Sequence, residues 1–266
     1  LIIFFFYPII AIFKVSFYKY VFPNIIEEFT WENYLRFLTD AFYLKKVLWP
    51  TIKLSFISSF AALTIAYPFA YILSRFCKPS VKRTLTTLVI LVMWVSDVIR
   101  ISGWMIIFAD KGFLNNILMK IGIISSPLKF MFTELAIFTV LVQISLPFLV
   151  FTLLGIFNYI NPSLEEAART LGASPLTTFF KITVPLSIPG ILAGTLIIFA
   201  LNLNAFTVPL LMGGRKVTMM GVEIYNFSLV VHNLPFASSI AVILLIFSII
   251  VITSYTKILN RLYRGV

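Results

Sequence analysis

Asn161–Gly190 reads NPSLEEAARTLGASPLTTFFKITVPLSIPG, a polar, tightly punctuated stretch inside a chain that is otherwise mostly apolar. Ser163 followed by Glu166 fits a capping box, in which each side chain satisfies an orphan backbone donor at a helix start. Pro162 disfavours helical continuation from the residue before it. Beyond it, Leu164, Ala167, Ala168 and Leu171 fall on one helical face and Glu165, Glu166, Arg169 and Thr170 on the other. Gly172 can take the left-handed conformation that ends a short helix. Ser174 then offers a second N-cap, and Pro175 suits a first helical position. Leu176, Phe179 and Phe180 give the next helix an apolar stripe. The expectation is a helix, a sharp turn at Gly172 and Ala173, a second helix, and renewed apolar sequence near Pro185. Helices this short are unstable alone in water. The element therefore either lies amphipathically on a membrane surface or packs against a partner.

The rest of the chain sets the class. Of its 266 residues 60% are hydrophobic and only 12% charged, against about 25% charged in soluble domains. Six apolar segments are long enough to span a bilayer as helices: Leu1 to about Phe17, and about Val47–Ser74, Leu85–Phe108, Leu135–Phe157, Ile188–Met212 and Ala237–Leu259. The first is read as the remainder of a membrane helix, because no small-residue cleavage site follows it. No segment alternates like a barrel strand, and no stretch is left for a soluble domain. The fold class expected is an all-α membrane protein of six transmembrane helices, one membrane domain over residues 1–266.

The net charge of +11 is explained by bases between the apolar runs, where anionic lipid and the positive-inside bias act; nucleic acid is not an expected partner. The dense cluster RFCKPSVKR (Arg75–Arg83), with Arg169, Lys181, Lys257, Arg261 and Arg264, outweighs bases scattered through longer loops. That places both termini and the Asn161–Pro185 segment on the cytoplasmic side. A single cysteine, Cys77, excludes an intramolecular disulfide and any multi-cysteine metal site.

Glu166-Ala167-Ala168, three residues, Gly172, nine residues, Ile182, two residues and Pro185 resemble the EAA signature of the permease subunits of type I ABC importers. Val184 stands where that pattern usually has leucine. The resemblance is to the polyamine branch in particular, supported by IRISGWMIIFADKGFLNNIL (Ile99–Leu118) and FTVPLLMGGRKVTMMGVEIYN (Phe206–Asn226), and it extends from about Trp31 to the C-terminus. It implies a six-helix permease of the bacterial inner membrane whose EAA loop, about residues 158–185, forms a cytoplasmic coupling helix seated on an ATP-hydrolysing subunit. Glu165, Glu166 and Arg169 would then offer polar contacts, Ala167 and Ala168 close approach, and Gly172 the turn, with Ile182 and Pro185 completing the signature. The implied partners are two ATP-binding subunits, which use ATP and Mg, a second and different permease, a periplasmic substrate-binding protein, and membrane lipid. The implied cargo is a small organic cation such as spermidine or putrescine.

Polar residues within the spans are the candidates for contact with cargo, since charge there is costly. Asp97 and Arg100 stand one turn apart in MWVSDVIRISGW. They are either a mutual pair, or Asp97 faces the pathway with Trp94 or Trp104 nearby and receives an ammonium group. Asn202 and Asn204, two residues apart, cannot share a helical face, so at most one points to a given cavity, and either one could instead hydrogen-bond between helices. Glu134 and Glu223 complete the acidic candidates, whereas an anionic cargo would favour Arg100 and Arg215. Lys53 is expected to snorkel towards an interface. Gly190 and Gly194 have the spacing of a close-packing face.

Catalytic machinery is absent from the sequence. There is no GxxxxGK[ST] phosphate loop, so ATP belongs to another chain. Metal-ligand spacing and a GxSxG elbow are also lacking. The chain is therefore expected to be non-enzymatic and without a cofactor of its own. The alternatives are the same architecture carrying an opine, another amine, a phosphonate or iron, and an ion-coupled secondary carrier.

Overall fold

A computed structural model describes the backbone of residues 2–214 and 216–263 and the side chains of residue 4 and residues 6–214 and 216–257. The side chains of Arg215, Arg261 and Arg264 lie outside the described residues.

Helix dominates, because the apolar runs must satisfy their own backbone groups. In chain order the elements are α1 (Ile2–Val15), β1 (Tyr18–Val21), β2 (Asn24–Phe29), α2 (Glu32–Thr39), α3 (Trp49–Arg75), α4 (Pro79–Trp94), α5 (Asp97–Phe108), α6 (Phe113–Lys120), α7 (Glu134–Tyr159), α8 (Ser163–Thr170), α9 (Pro175–Thr178), α10 (Val184–Leu203), α11 (Met220–Tyr225) and α12 (Leu234–Tyr263). One wide π-type segment, Tyr43–Leu48, leads into α3, and another, Phe179–Thr183, joins α9 to α10.

Four helical runs among the described residues are long and apolar enough to cross a membrane: Tyr43–Arg75, Glu134–Tyr159, Pro175–Leu203 and Leu234–Lys257. The expected first span is a shorter apolar helix, Phe6–Val15. The expected third is broken, α4 ending where Val95 turns extended (φ −73, ψ 128) and α5 starting at Asp97. An acidic residue suits a helix start, where the dipole favours negative charge, and the apolar window that ran across this point concealed it. Length and composition therefore give four spans, or five with the bent pair. The fifth apolar segment is also displaced. Its helix begins at Pro175 and ends at Leu203, and Pro209 opens a separate turn, Pro209–Gly213.

The described residues group into two units interleaved in sequence. The first draws on Leu1–Ser55, Ile101–Phe138 and Leu203–Val266. It holds a hairpin that the sequence reading missed, antiparallel β1 and β2, built of the aromatic and β-branched residues that strands favour. Buried Asn33 fixes its start, donating to the carbonyls of Ser16 (3.0 Å) and Tyr18 (2.9 Å). The Arg36 guanidinium lies 4.3 Å from the centroid of the Phe236 ring. The Thr51 hydroxyl accepts the Met220 N–H (2.9 Å) and thereby caps α11.

The second unit draws on Phe56–Arg100 and Thr139–Asn202. Here α7 and α10 approach closely, because a side chain on Gly190 would meet Ile156 Cγ2 at 2.5 Å and one on Gly194 would meet Leu149 Cδ1 at 2.6 Å. Small residues let membrane helices pack at this range without a hydrophobic driving force. Tyr67, Tyr71, Phe157 and Phe179 form an aromatic cluster beside them, with ring centroids 4.9–5.8 Å apart.

Candidate functional site

The Asn161–Gly190 stretch folds as two short helices about Gly172, as expected, and its turn is a complete Schellman motif. Gly172 has φ +89, its N–H donates to Arg169 O (2.9 Å), and the Ala173 N–H donates to Ala168 O (3.0 Å). The Ser174 hydroxyl accepts the Thr177 N–H, with Pro175 at the first helical position. The capping box is not formed. Pro162 holds the N-cap position without a side-chain bond, and the Asn161 carboxamide instead accepts the Ser163 N–H (3.1 Å).

The apolar face of α8 turns outward, as either a membrane surface or a partner requires: Leu164 and Leu171 are 47% and 89% exposed, whereas Glu165, expected on the polar face, is 4% exposed. Leu176 and Phe180 are also exposed, so α8 and α9 present an apolar surface outward. Glu166, Ala167 and Arg169 are exposed, Ala168 and Ile182 half-buried, and Pro185 exposed. Glu165 is thereby removed from the polar docking face assigned to it.

Buried, Glu165 takes three donors. Its Oε1 accepts from Arg75 Nε (3.0 Å) and from Thr183 Oγ1 (3.0 Å), and its Oε2 accepts from the Tyr71 hydroxyl (3.3 Å). Arg75 Nη2 donates onward to Ile160 O (2.9 Å). This one carboxylate therefore ties α8 to the end of α3, the end of α7 and the turn leading into α10. A buried charge is tolerated only when paired and hydrogen-bonded in this way. The reading of residues one by one missed Arg75, Tyr71 and Thr183. The basic cluster after α3 marked the place, and nothing local tied it to Glu165 ninety positions on.

The structure separates the intramembrane candidates. Asn202 is buried in a polar knot, its Nδ2 within hydrogen-bond distance of the hydroxyls of Ser58 (3.1 Å), Ser59 (3.3 Å) and Ser145 (3.0 Å). It joins α3, α7 and α10, the helix-to-helix alternative to its placement on the pathway. Asn204 does line a cleft of about 260 Å³, with Phe206, Gly221, Ile224, Tyr225 and Leu244. Phe206 and Tyr225 stack there, 5.7 Å between centroids and 24° between planes. Glu223, in the same short helix as Tyr225, accepts from Thr218 Oγ1 (3.1 Å). Burial raises its carboxyl above the usual range, and the Thr218 bond lowers it in part.

Glu134 and Lys53 form an ion pair at 2.6 Å, both partly exposed, so Lys53 is held by a carboxylate where it was expected to snorkel. Asp97 and Arg100 are paired too, while Arg100 Nε and Nη1 are buried without an acceptor. Trp94 is 85% exposed, and Trp104 packs on Phe108 at 5.2 Å.

Comparison with known proteins decides what this architecture is. Residues 62–265 match the family model "Binding-protein-dependent transport system inner membrane component". The chain belongs to that family. This permease is 35% identical to the spermidine/putrescine transport system permease protein PotB of Haemophilus influenzae, over 98% of this chain and 92% of that one. It is 34% identical to PotB of Escherichia coli, over 98% and 95%. In fold the permease resembles a chain of a bacterial ABC transporter that imports the acidic polysaccharide alginate, with TM-score 0.81, 18% identity and coverage of 97% and 90%. The permease is thus an inner-membrane transport component of the type I ABC fold, and its EAA stretch lies within the matched region.

Proposed function

We propose that this permease forms half of the translocation pathway of an ATP-driven importer for a polyamine such as spermidine or putrescine. The observation that carries the cargo is the likeness to two spermidine/putrescine permeases over nearly the whole chain. The cleft of Asn204, Phe206 and Tyr225 supports it chemically, because a carboxamide oxygen and stacked aromatic faces suit an ammonium group.

The coupling role rests on the exposed apolar surface of α8 and α9. Leu164, Ala167, Leu171, Leu176 and Phe180 face outward and would be covered by a groove on the ATP-binding subunit. Glu166 and Arg169 flank them as polar contacts, and Ala168 permits close approach. Glu165 and Arg75 hold this surface rigid against the spans. Closure of two ATP-binding subunits, which use ATP and Mg, would move α8 as a lever and shift the helices between inward- and outward-facing states. A second, different permease completes the pathway and a periplasmic binding protein delivers cargo. Both termini lie on the cytoplasmic side, with the Arg75–Arg83 cluster. The chain itself is non-catalytic and holds no cofactor.

Gly172→Asp and Glu166→Lys test the coupling role in the assembled transporter. Asp at φ +89 strains the turn, and lysine reverses the docking charge. Both variants are expected to insert normally and to leave ATP hydrolysis unlinked from uptake. Normal coupled transport by either one overturns the assignment.

A further inference from the structure

Among the described residues one ion pair joins two spans, Tyr43–Arg75 and Glu134–Tyr159. Lys53, early in α3, donates from Nζ to Oε2 of Glu134, the first residue of α7, at 2.6 Å. Their side chains are 36% and 43% exposed, so an incoming group can reach either one. The buried pair of Arg75 and Glu165 is built differently: Tyr71 and Thr183 also donate to that carboxylate, and the joint is fixed. Asp97 and Arg100 pair one turn apart on a single helix. A lone pair as exposed as Lys53 and Glu134 favours its closed form by about fivefold at most. That is a weak tie between helices, whereas charge within spans is costly and marks sites that meet ions or polar cargo.

The group that Glu134 holds is a primary ammonium on a flexible four-carbon stem. One end of putrescine has the same chemistry, so the carboxylate already carries a tethered likeness of the proposed cargo. The far ends of α3 and α7, Arg75 and Tyr159, lead towards the α8 network, so in the proposed orientation the pair stands at the outer ends of both helices. We propose that Glu134 is a specificity-determining residue where cargo enters, binding a primary alkylammonium in exchange for Lys53. The N–H donors of the cargo replace those of Lys53 at the carboxylate, and the freed lysine turns to water. One positive charge leaves Glu134 as another arrives. Cargo binds only while Lys53 is away, and its apparent affinity falls by that fraction. Return of Lys53 then displaces the cargo, which fits passage, because a conducting site must bind strongly enough to fill and weakly enough to empty. The inference rests on the polyamine reading and the sidedness proposed above.

The test is equilibrium binding of radiolabelled putrescine to the complete transporter in nanodiscs of phosphatidylcholine and phosphatidylglycerol, which carry no primary ammonium. Binding protein is left out, so that the membrane subunits alone are read. Lys53→Met removes the competitor and is expected to lower Kd about two- to fivefold. Lys53→Arg keeps the charge, can grip the carboxylate through two parallel bonds, and is expected to raise Kd. Glu134→Gln is expected to raise Kd about fivefold or more, and equally so when combined with Lys53→Met, because the lysine acts only through Glu134. A pair that merely ties two helices would weaken binding from either half. Lys53→Arg retains the pair, so the order stays readable even where Lys53→Met does not assemble. Equal Kd values throughout, weaker binding in Lys53→Met, or no binding in any form would overturn the assignment. Binding that is lost when phosphatidylethanolamine replaces phosphatidylcholine would give the carboxylate to a lipid headgroup and overturn it too. Uptake of putrescine by wild type in proteoliposomes, with external binding protein and internal ATP, separates the two levels. A wild type that hydrolyses ATP and takes up no alkylamine removes the polyamine reading and this inference together, whereas normal uptake leaves that reading intact after any of the failures above.

Discussion

Replacing Arg75 with methionine tests the buried network beneath α8. In the native chain the side chains of Arg75 and Glu165 are 9% and 5% exposed, so little water can substitute for the lost guanidinium. Arg75→Met leaves Glu165 with the hydroxyls of Tyr71 and Thr183 alone and frees Ile160 O. Removing one partner of a buried pair costs about 3–5 kcal/mol. At about 1.4 kcal/mol per tenfold, that raises the population of an undocked α8 by about 10²–10³-fold or more. Replacing both partners by apolar residues of similar size is often neutral, so Arg75→Met with Glu165→Leu should recover most of the loss. Amide hydrogen exchange reads the difference locally. In lipid nanodiscs the amides of Glu166–Thr170 are expected to exchange about 10²-fold faster or more in the single variant and near the wild-type rate in the double. A single variant with wild-type protection would refute the reasoning, as would a double variant no better than the single.

The other predictions concern the spans and the outer loop. Gly190→Ala should destabilise the chain by about 1–3 kcal/mol through overpacking, since its Cβ would meet Ile156 at 2.5 Å. Ile156→Gly, which removes the Cβ at 2.7 Å as well as Cγ2, should return part of that, and an overpacking cost indifferent to residue 156 would remove the close contact from the account. Asn202→Leu should lower stability by about 1–2 kcal/mol and leave the KM of uptake unchanged, whereas Asn204→Leu should raise KM; the reverse order would exchange their roles. Burial raises the Glu223 carboxyl in the folded state, so its contribution to stability is greatest below the ordinary glutamate pKa and falls as pH rises through the folded one. Glu223→Gln should flatten that decline in thermal melts, and an identical pH profile would argue against a buried carboxyl there.

The parts of this fold that rest on local chemistry were legible. Gly172, Ser174 and Pro175 specify their turn by conformation and capping, and the long apolar runs admit little but helix. The two-residue offset of Asn202 and Asn204 excluded a shared face. Only serines from α3 and α7, however, show which of the two is buried. The burial of Glu165 was not legible, because helical periodicity places it with Glu166 and Arg169 on the polar face. Leu164 and Leu171 turn out, as the proposed docking surface requires, while Glu165 turns in to meet Arg75. That partner lies ninety positions away, beyond the reach of any periodicity. The break at Val95 and Ser96 was hidden for a different reason, since hydropathy averages over a window and a two-residue break in the helix leaves no mark on it.

ATP-dependent uptake of spermidine into proteoliposomes holding this permease, its partner permease and the ATP-binding subunits tests the central claim most directly. The account predicts accumulation that requires internal ATP and external binding protein and persists when ion gradients are collapsed. Uptake that continues without ATP and stops with the ion gradient would contradict it.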